Sequence, residues 1–227
     1  MIWRLLAAAA ALATMGRILF AGAVQLSPDE AYYYSWGRNL ALHYRDHPPL
    51  IGWIMSLVPS SLGGASEVWV RLPALLSGLL MVFLIHVLAR SAGASPRSAL
   101  IASLTGTFSL MGCAGAVIVT PDAPLMLLWS VSLILAVRVA RGASPWLLAA
   151  ASAAAAAACL AKLPGLLLVP GLALAAHARR QEGRRLVGPC VLSALVLALP
   201  LALVAGPASF QLDRLSEASP RPLEPLV

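Results

Sequence analysis

Charge is scarce in this chain: only 11% of its 227 residues are Asp, Glu, Lys or Arg, whereas 60% are apolar or aromatic. That balance excludes an ordinary soluble domain, whose charged fraction is about twice as large. Cysteine is scarce too. Cys113, Cys159 and Cys190 each lie inside an apolar run, so neither a disulfide framework nor a zinc-ligand spacing is present, and the three read as small packing residues. A formal net charge of +7 would suit nucleic acid if the cations shared one face. They do not: the Arg residues stand in short clusters between apolar runs, where they orient helices, so no nucleic-acid partner is expected.

What the chain has in abundance is long apolar segments. Seven stand out: Leu5 to Val24, Val68 to Ala89, Ser98 to Val119, Pro124 to Ala140, Pro145 to Ala161, Leu163 to Ala178 and Leu186 to Gly206. A bilayer core needs roughly 20 helical residues, with about 17 as a lower limit. The expectation is an all-α, polytopic membrane helix bundle of about seven transmembrane helices over residues 1–206, with short interfacial helices in the outer loop 25–67. An outer, disordered tail follows over 207–227, where prolines and the lack of periodicity argue against another helix. Only Lys162 separates the fifth and sixth stretches, which are short; two spans there keep the charge pattern alternating, against a single re-entrant pair. The first stretch could pass for a signal peptide cut near Ala21-Gly22-Ala23, but Arg17 interrupts it and further spans follow, so it reads as a retained signal anchor. Arg17 is expected to snorkel to the interface, within reach of a carboxylate in the next loop.

Charge sets the orientation. With a cytoplasmic N-terminus, the inner segments hold Arg4, Arg90, Arg97, Arg138, Arg141, Arg179, Arg180, Arg184 and Arg185 against Glu182 alone. Basic residues in short loops stay inside, so the remaining acids are expected on the outer face.

The first outer loop is the richest: Ser27-Pro-Asp29-Glu30-Ala-Tyr32-Tyr33-Tyr34-Ser-Trp36, then His43-Tyr-Arg45-Asp46-His47-Pro48-Pro49-Leu50. Ser27, Pro28 and two acids in the first turn predict a helix start, with the acids near the positive end of the helix dipole. Two readings stand side by side: capping acids with an interfacial aromatic belt, or a site. Pro49 to Val58 predicts a short helix along the membrane surface. A second acid, in Thr120-Pro-Asp122-Ala-Pro124, sits in a tight outer turn at the membrane boundary. Carboxylates so close to hydrocarbon are costly unless solvated or paired, which makes Asp122 a site candidate; a turn acid capping the next helix is the plain alternative. His43 and His47 sit four apart near acids, but Pro48 and Pro49 break any regular helix through both, so no metal and no cofactor is expected.

In this order the motifs Asp-Glu-Ala-Tyr-Tyr, Tyr-Arg-Asp-His-Pro-Pro-Leu, Val70-Arg71-Leu72-Pro73, Thr120-Pro-Asp122-Ala-Pro124 and Lys162-Leu-Pro-Gly165 with Pro170 resemble the N-terminal half of the polyprenyl-phosphate-sugar glycosyltransferases. These are membrane enzymes of the GT-C fold that include protein O-mannosyltransferases and lipid A aminoarabinose transferases. The resemblance implies sugar transfer from a polyprenyl-phosphate carrier to a lipid, glycan or protein hydroxyl at the outer face of a bacterial inner membrane. Asp29 matches the family's acid after the first span and is the expected general base, because a hydroxyl must lose its proton as it attacks. Asp122 matches the second-loop acid and is expected to orient acceptor or base; Glu30 is the weaker candidate, since it can pair with Arg17 or Arg71. For the phosphate the candidates are His47, Asp46, Arg71 and Lys162, with Tyr32 beside them. Aminoarabinose transferases carry Glu-Lys before the paired prolines where this chain reads Asp46-His47. Full-length relatives are about twice as long, so this chain alone is expected not to turn over, as a truncated non-catalytic binding subunit or as one half of a split enzyme completed by a second membrane chain.

Overall fold

The computed structural model describes residues 1–42, 44, 46–58, 66–183, 185–198 and 202. His43, Arg45, Arg184 and the 207–227 tail lie outside the described residues. Among the described residues all regular structure is helical: α1 (Ile2–Ala23), α2 (Pro28–Arg38), α3 (Leu50–Ser56), α4 (Glu67–Ser91), α5 (Pro96–Phe108), α6 (Leu110–Ala114), α7 (Asp122–Ala140), α8 (Leu147–Ala161) and α9 (Leu168–Ala178). A further helix, α10, covers Arg185–Ala198.

The expectation of about seven transmembrane helices is overturned. Among the described residues three helices, α1, α4 and α7, are long and apolar enough to cross a membrane, and they make the chain a multi-pass membrane protein. The other apolar stretches are shorter as helices than as runs of letters. Ser98 to Val119 is cut at Ser109, whose backbone is extended (φ −66°, ψ 157°) and whose hydroxyl accepts from the Gly112 amide at 3.0 Å to start α6. The two pieces come so close there that a Cβ on Gly112 would lie 1.9 Å from the Gly106 carbonyl oxygen. Pro145 to Ala161 yields the 15 residues of α8, which at about 1.5 Å per residue reach only about 22 Å. Extended backbone at Lys162 ends that helix, and Pro164 starts a 3-10 turn over Leu163–Leu167 before α9 begins. The seventh stretch is helical as α10, and its remainder, Ala202 apart, lies outside the described residues.

Small residues let the helices approach. α7 lies along α8, whose buried face runs Ala151, Ala155, Ala158, Ala161 at helical spacing, and the Ser132 hydroxyl donates across to the Ala151 carbonyl at 2.9 Å. Such contacts replace the hydrophobic drive that is missing between helices in lipid. α4 packs against α1, α5 and α7. Large apolar side chains point outward instead, Leu12, Leu19, Leu80, Ile101 and Leu174 among them, as a surface wetted by hydrocarbon requires.

Arg17 differs from expectation. It does not snorkel and, among the described residues, does not meet a carboxylate: only 6% of it is exposed, and its guanidinium donates to the Thr107 and Gly112 carbonyls, both at 3.1 Å. The cause is the cut in the third stretch, which frees carbonyls that a continuous helix would have used internally.

α1, α4 and α7 run between two polar ends. One end carries Glu30, Arg71, Asp122 and Lys162. At the other, Arg141 donates to the Ala92 carbonyl at 3.1 Å and Arg179 to those of Val139 and Ala143 at 2.8 and 2.6 Å, satisfying carbonyls that helix and turn ends leave open.

Candidate functional site

The acid-rich end is built on α2 and α3, the two short helices of the loop after α1. α2 starts with a reciprocal cap: the Ser27 hydroxyl accepts from the Glu30 amide at 3.3 Å, and Glu30 Oε2 accepts from the Ser27 amide at 2.9 Å. The exchange satisfies two amides that a helix start otherwise exposes. Gly37 of α2 rests on α3 so tightly that a Cβ would lie 2.5 Å from the Met55 carbonyl carbon. The ring of Tyr44 stacks on Trp36 at 4.2 Å, its hydroxyl accepts from the Ala41 amide, and Trp53 Nε1 donates to the Ala41 carbonyl at 2.9 Å. These contacts tie α2, α3 and the segment between them into one cap.

Glu30 and Arg71 form the root of that cap. The pair is closed by Arg71 Nε and Nη2 donating to the two Glu30 oxygens, each at 2.8 Å, with both side chains nearly sealed from solvent. Arg71 spends its other N–H groups on the carbonyls of Ala21, Val24 and Gln25, between 2.7 and 3.0 Å. A guanidinium has five N–H donors, and all are used. Glu30 is equally saturated: it also accepts the Ser27 amide and, at 3.2 Å, that of Val119. Burial alone would raise its pKa, but the hydrogen bonds from Arg71, Ser27 and Val119 outweigh it and hold the carboxyl below the ordinary range.

Above this root stands a looser cluster. Asp29 is exposed on the first turn of α2 and has no hydrogen-bond partner among the described residues. Asp122 opens α7 and receives the Lys162 ammonium on both oxygens, at 2.8 and 3.0 Å, with each side chain partly open to solvent. Asp46 accepts the Tyr32 hydroxyl at 2.8 Å. His47 lies against Tyr33, ring centroids 6.0 Å apart. Burial and then the Lys162 charge push the His47 imidazole below its usual pKa, against the pull of Asp46, Asp122 and Asp29. Burial, Asp29, Asp122 and Asp46 together raise the Tyr33 hydroxyl. The same three carboxylates reach both rings and Lys162 is bonded to one of them, so residues 29, 46, 47, 122 and 162 share one neighbourhood, although they come from four separate segments.

Comparison with known sequences gives the family. The family described as dolichyl-phosphate-mannose-protein mannosyltransferase matches residues 46–206, more than half of the chain. The chain belongs to that family. Asp46, His47, Arg71, Asp122 and Lys162 lie inside the matched region, while Asp29, Glu30 and Tyr32 precede it. No curated protein and no solved structure matches the chain. The family is one of glycosyltransferases of the GT-C superfamily, and the all-α bundle accords with it.

Among the described residues no group of three His, Cys, Asp or Glu side chains is arranged to hold a metal ion. Two parts of the neighbourhood had little signal in the sequence. Tyr33 is buried against Trp36, its i+3 neighbour, at 5.3 Å, a spacing that could have marked the inner face of α2. Tyr44, the clamp between α2 and α3, had no periodic signal at all.

Proposed function

We propose that the chain moves a sugar from a polyprenyl-phosphate carrier to an acceptor hydroxyl, with Asp29 as general base. The carrying observation is the contrast between adjacent acids: Glu30 is buried and saturated, whereas Asp29 is exposed and, among the described residues, has no hydrogen-bond partner. Neighbouring carboxylates divided this way by environment take separate roles. In the reaction the acceptor oxygen bonds to the anomeric carbon as its proton passes to Asp29. The bond from that carbon to the phosphate oxygen breaks, and its electron pair leaves with the polyprenyl phosphate.

Lys162 supports the leaving side. Its ammonium is held by Asp122 yet partly open to solvent, so it can turn a donor toward a phosphate oxygen as negative charge develops there. His47, held below its usual pKa, is neutral near pH 7 and offers one N–H without adding a cation. Asp46 positions Tyr32 at the rim. Arg71 and Glu30 we assign to holding the cap, since neither has a hydrogen-bonding position to spare. The Arg-rich opposite end favours a cytoplasmic N-terminus, with the acid-rich end on the outer face of a bacterial inner membrane.

The test is sugar transfer in membranes from cells expressing the chain, where any second membrane chain is also present, using labelled polyprenyl-phosphate sugars. Asp29→Asn should lower turnover by about a hundredfold or more while retaining the carrier lipid. Undiminished turnover would leave Asp29 only its helix-end charge.

A further inference from the structure

The end of the bundle remote from the acids holds a cavity of about 530 Å³, bounded by Ile2 and Trp3 of α1, His86, Val87 and Arg90 of α4, and Arg138 of α7. Arg71 and Arg90 mark opposite ends of α4, separated by about 28 Å at a rise of about 1.5 Å per residue. That separation is close to the hydrocarbon thickness of a bilayer, about 30 Å, so the cavity opens at the other membrane boundary.

Its chemistry is two-sided. Arg138 Nε reaches the Ser91 hydroxyl at a long 3.4 Å, and Arg90 Nη1 donates to the Ala94 carbonyl at 2.7 Å. Neither guanidinium has an acid partner among the described residues; the ion pairs found there are Arg71–Glu30 and Lys162–Asp122, both at the far end. His86, only 4% exposed, lines the same cavity, and among the described residues its Nδ1 has no hydrogen-bond partner. Leaving a buried nitrogen unpaired is unfavourable unless a ligand or water engages it. Trp3 meets the His86 ring edge-on at 5.3 Å and is largely exposed, as an indole at the lipid–water boundary is. Ile2 and Val87 complete an apolar side.

We propose that this cavity binds the phosphate headgroup of an anionic membrane phospholipid. Arg90 and Arg138 flank the phosphate, His86 supplies a buried polar contact, and the Trp3, Ile2 and Val87 side receives the start of the acyl chains. A free anion would use the two arginines and leave the apolar side bare. Cationic pockets between helices at a membrane boundary take anionic lipid heads in this manner.

The experiment is native mass spectrometry of the purified full chain after equilibration with mixed phosphatidylglycerol and phosphatidylcholine vesicles. Wild type should retain phosphatidylglycerol preferentially. The Arg90→Gln/Arg138→Gln variant should lose that preference by about tenfold or more, at about 1 kcal/mol per cation near a lipid surface. Arg90→Lys/Arg138→Lys should regain part of it, His86→Phe should lose a smaller part, and Arg4→Gln, outside the cavity, should lose none. Equal retention of the two lipids by wild type, an unchanged preference in the double Gln variant, or displacement of the lipid by inorganic phosphate would each overturn the assignment. If the double Gln variant does not fold, the wild-type preference and the His86→Phe variant still decide it.

Discussion

The two ion pairs at the acid-rich end have similar closest distances and opposite surroundings. Glu30–Arg71 closes at 2.8 Å with side chains 1% and 3% exposed, while Asp122–Lys162 closes at 2.8 Å with side chains 51% and 32% exposed. The first is saturated by capping bonds and backbone carbonyls and can do nothing further. The second leaves its ammonium partly open to solvent, as the proposed phosphate contact requires. Distance alone would rank them equal; burial and the number of remaining donors separate a sealed fastening from a pair open to solvent.

The largest test of this contrast removes one partner of the sealed pair. Arg71→Met leaves Glu30 charged and buried, and should destabilise the fold by about 3 to 5 kcal/mol, measured as thermal or denaturant unfolding in detergent. Replacing both as Glu30→Leu/Arg71→Met should recover much of that loss. A single variant as stable as wild type would mean that the pair does not hold the cap.

Lys162→Met should act the other way round. Solvent screens this pair, so the stability change should stay below about 1 kcal/mol, while transfer should fall by about tenfold or more through kcat as a charge contact to the leaving phosphate is lost. A large loss of stability with intact transfer would make the two pairs alike.

The smallest expected effect is a pH dependence. His47 is held below its usual value of 6.5, so below that pH the unfolded chain takes up the proton more readily than the folded one. Its contribution to stability is therefore complete above pH 6.5 and is lost as pH falls from there toward the folded pKa. The slope of unfolding free energy against pH just below 6.5 should be shallower in His47→Gln. Glu30, also held low, keeps its contribution above the ordinary carboxylate range and loses it only in stronger acid, which separates the two groups. Equal slopes in wild type and His47→Gln would show that the ring is not held neutral.

Composition was enough to place this chain in a membrane, because so little charge cannot cover a soluble domain of its size. It was not enough to count crossings. An apolar run reads alike whether it forms one helix or two pieces: Lys162 marked one break by its charge, whereas Ser109 interrupts a helix through backbone conformation and carried no such mark. The start of α2 was legible because Ser27, Pro28 and Glu30 are local signals that act within one turn. The partner of Glu30 was open between Arg17 and Arg71, and only packing decides it: Arg71 lies beside the end of α1, while Arg17 is drawn to carbonyls freed by a helix break that the sequence did not reveal. The gathering of Asp29, Asp46, His47, Asp122 and Lys162 is likewise a product of tertiary structure, and order along the chain gave only its members.

The hold that Arg17 has on Thr107 and Gly112 also carries a schedule. Its acceptors lie 90 and 95 residues further along the chain, so α1 enters the bilayer long before they are synthesised. An unpartnered Arg in a spanning helix weighs about 2.5 to 3.5 kcal/mol against insertion at mid-membrane and less near its edge. The expectation is that during translation α1 is held first by its leucines and alanines and seats deeply only when the broken α5–α6 segment arrives. A helix made before its partners is then expected to be among the later ones to reach its final depth.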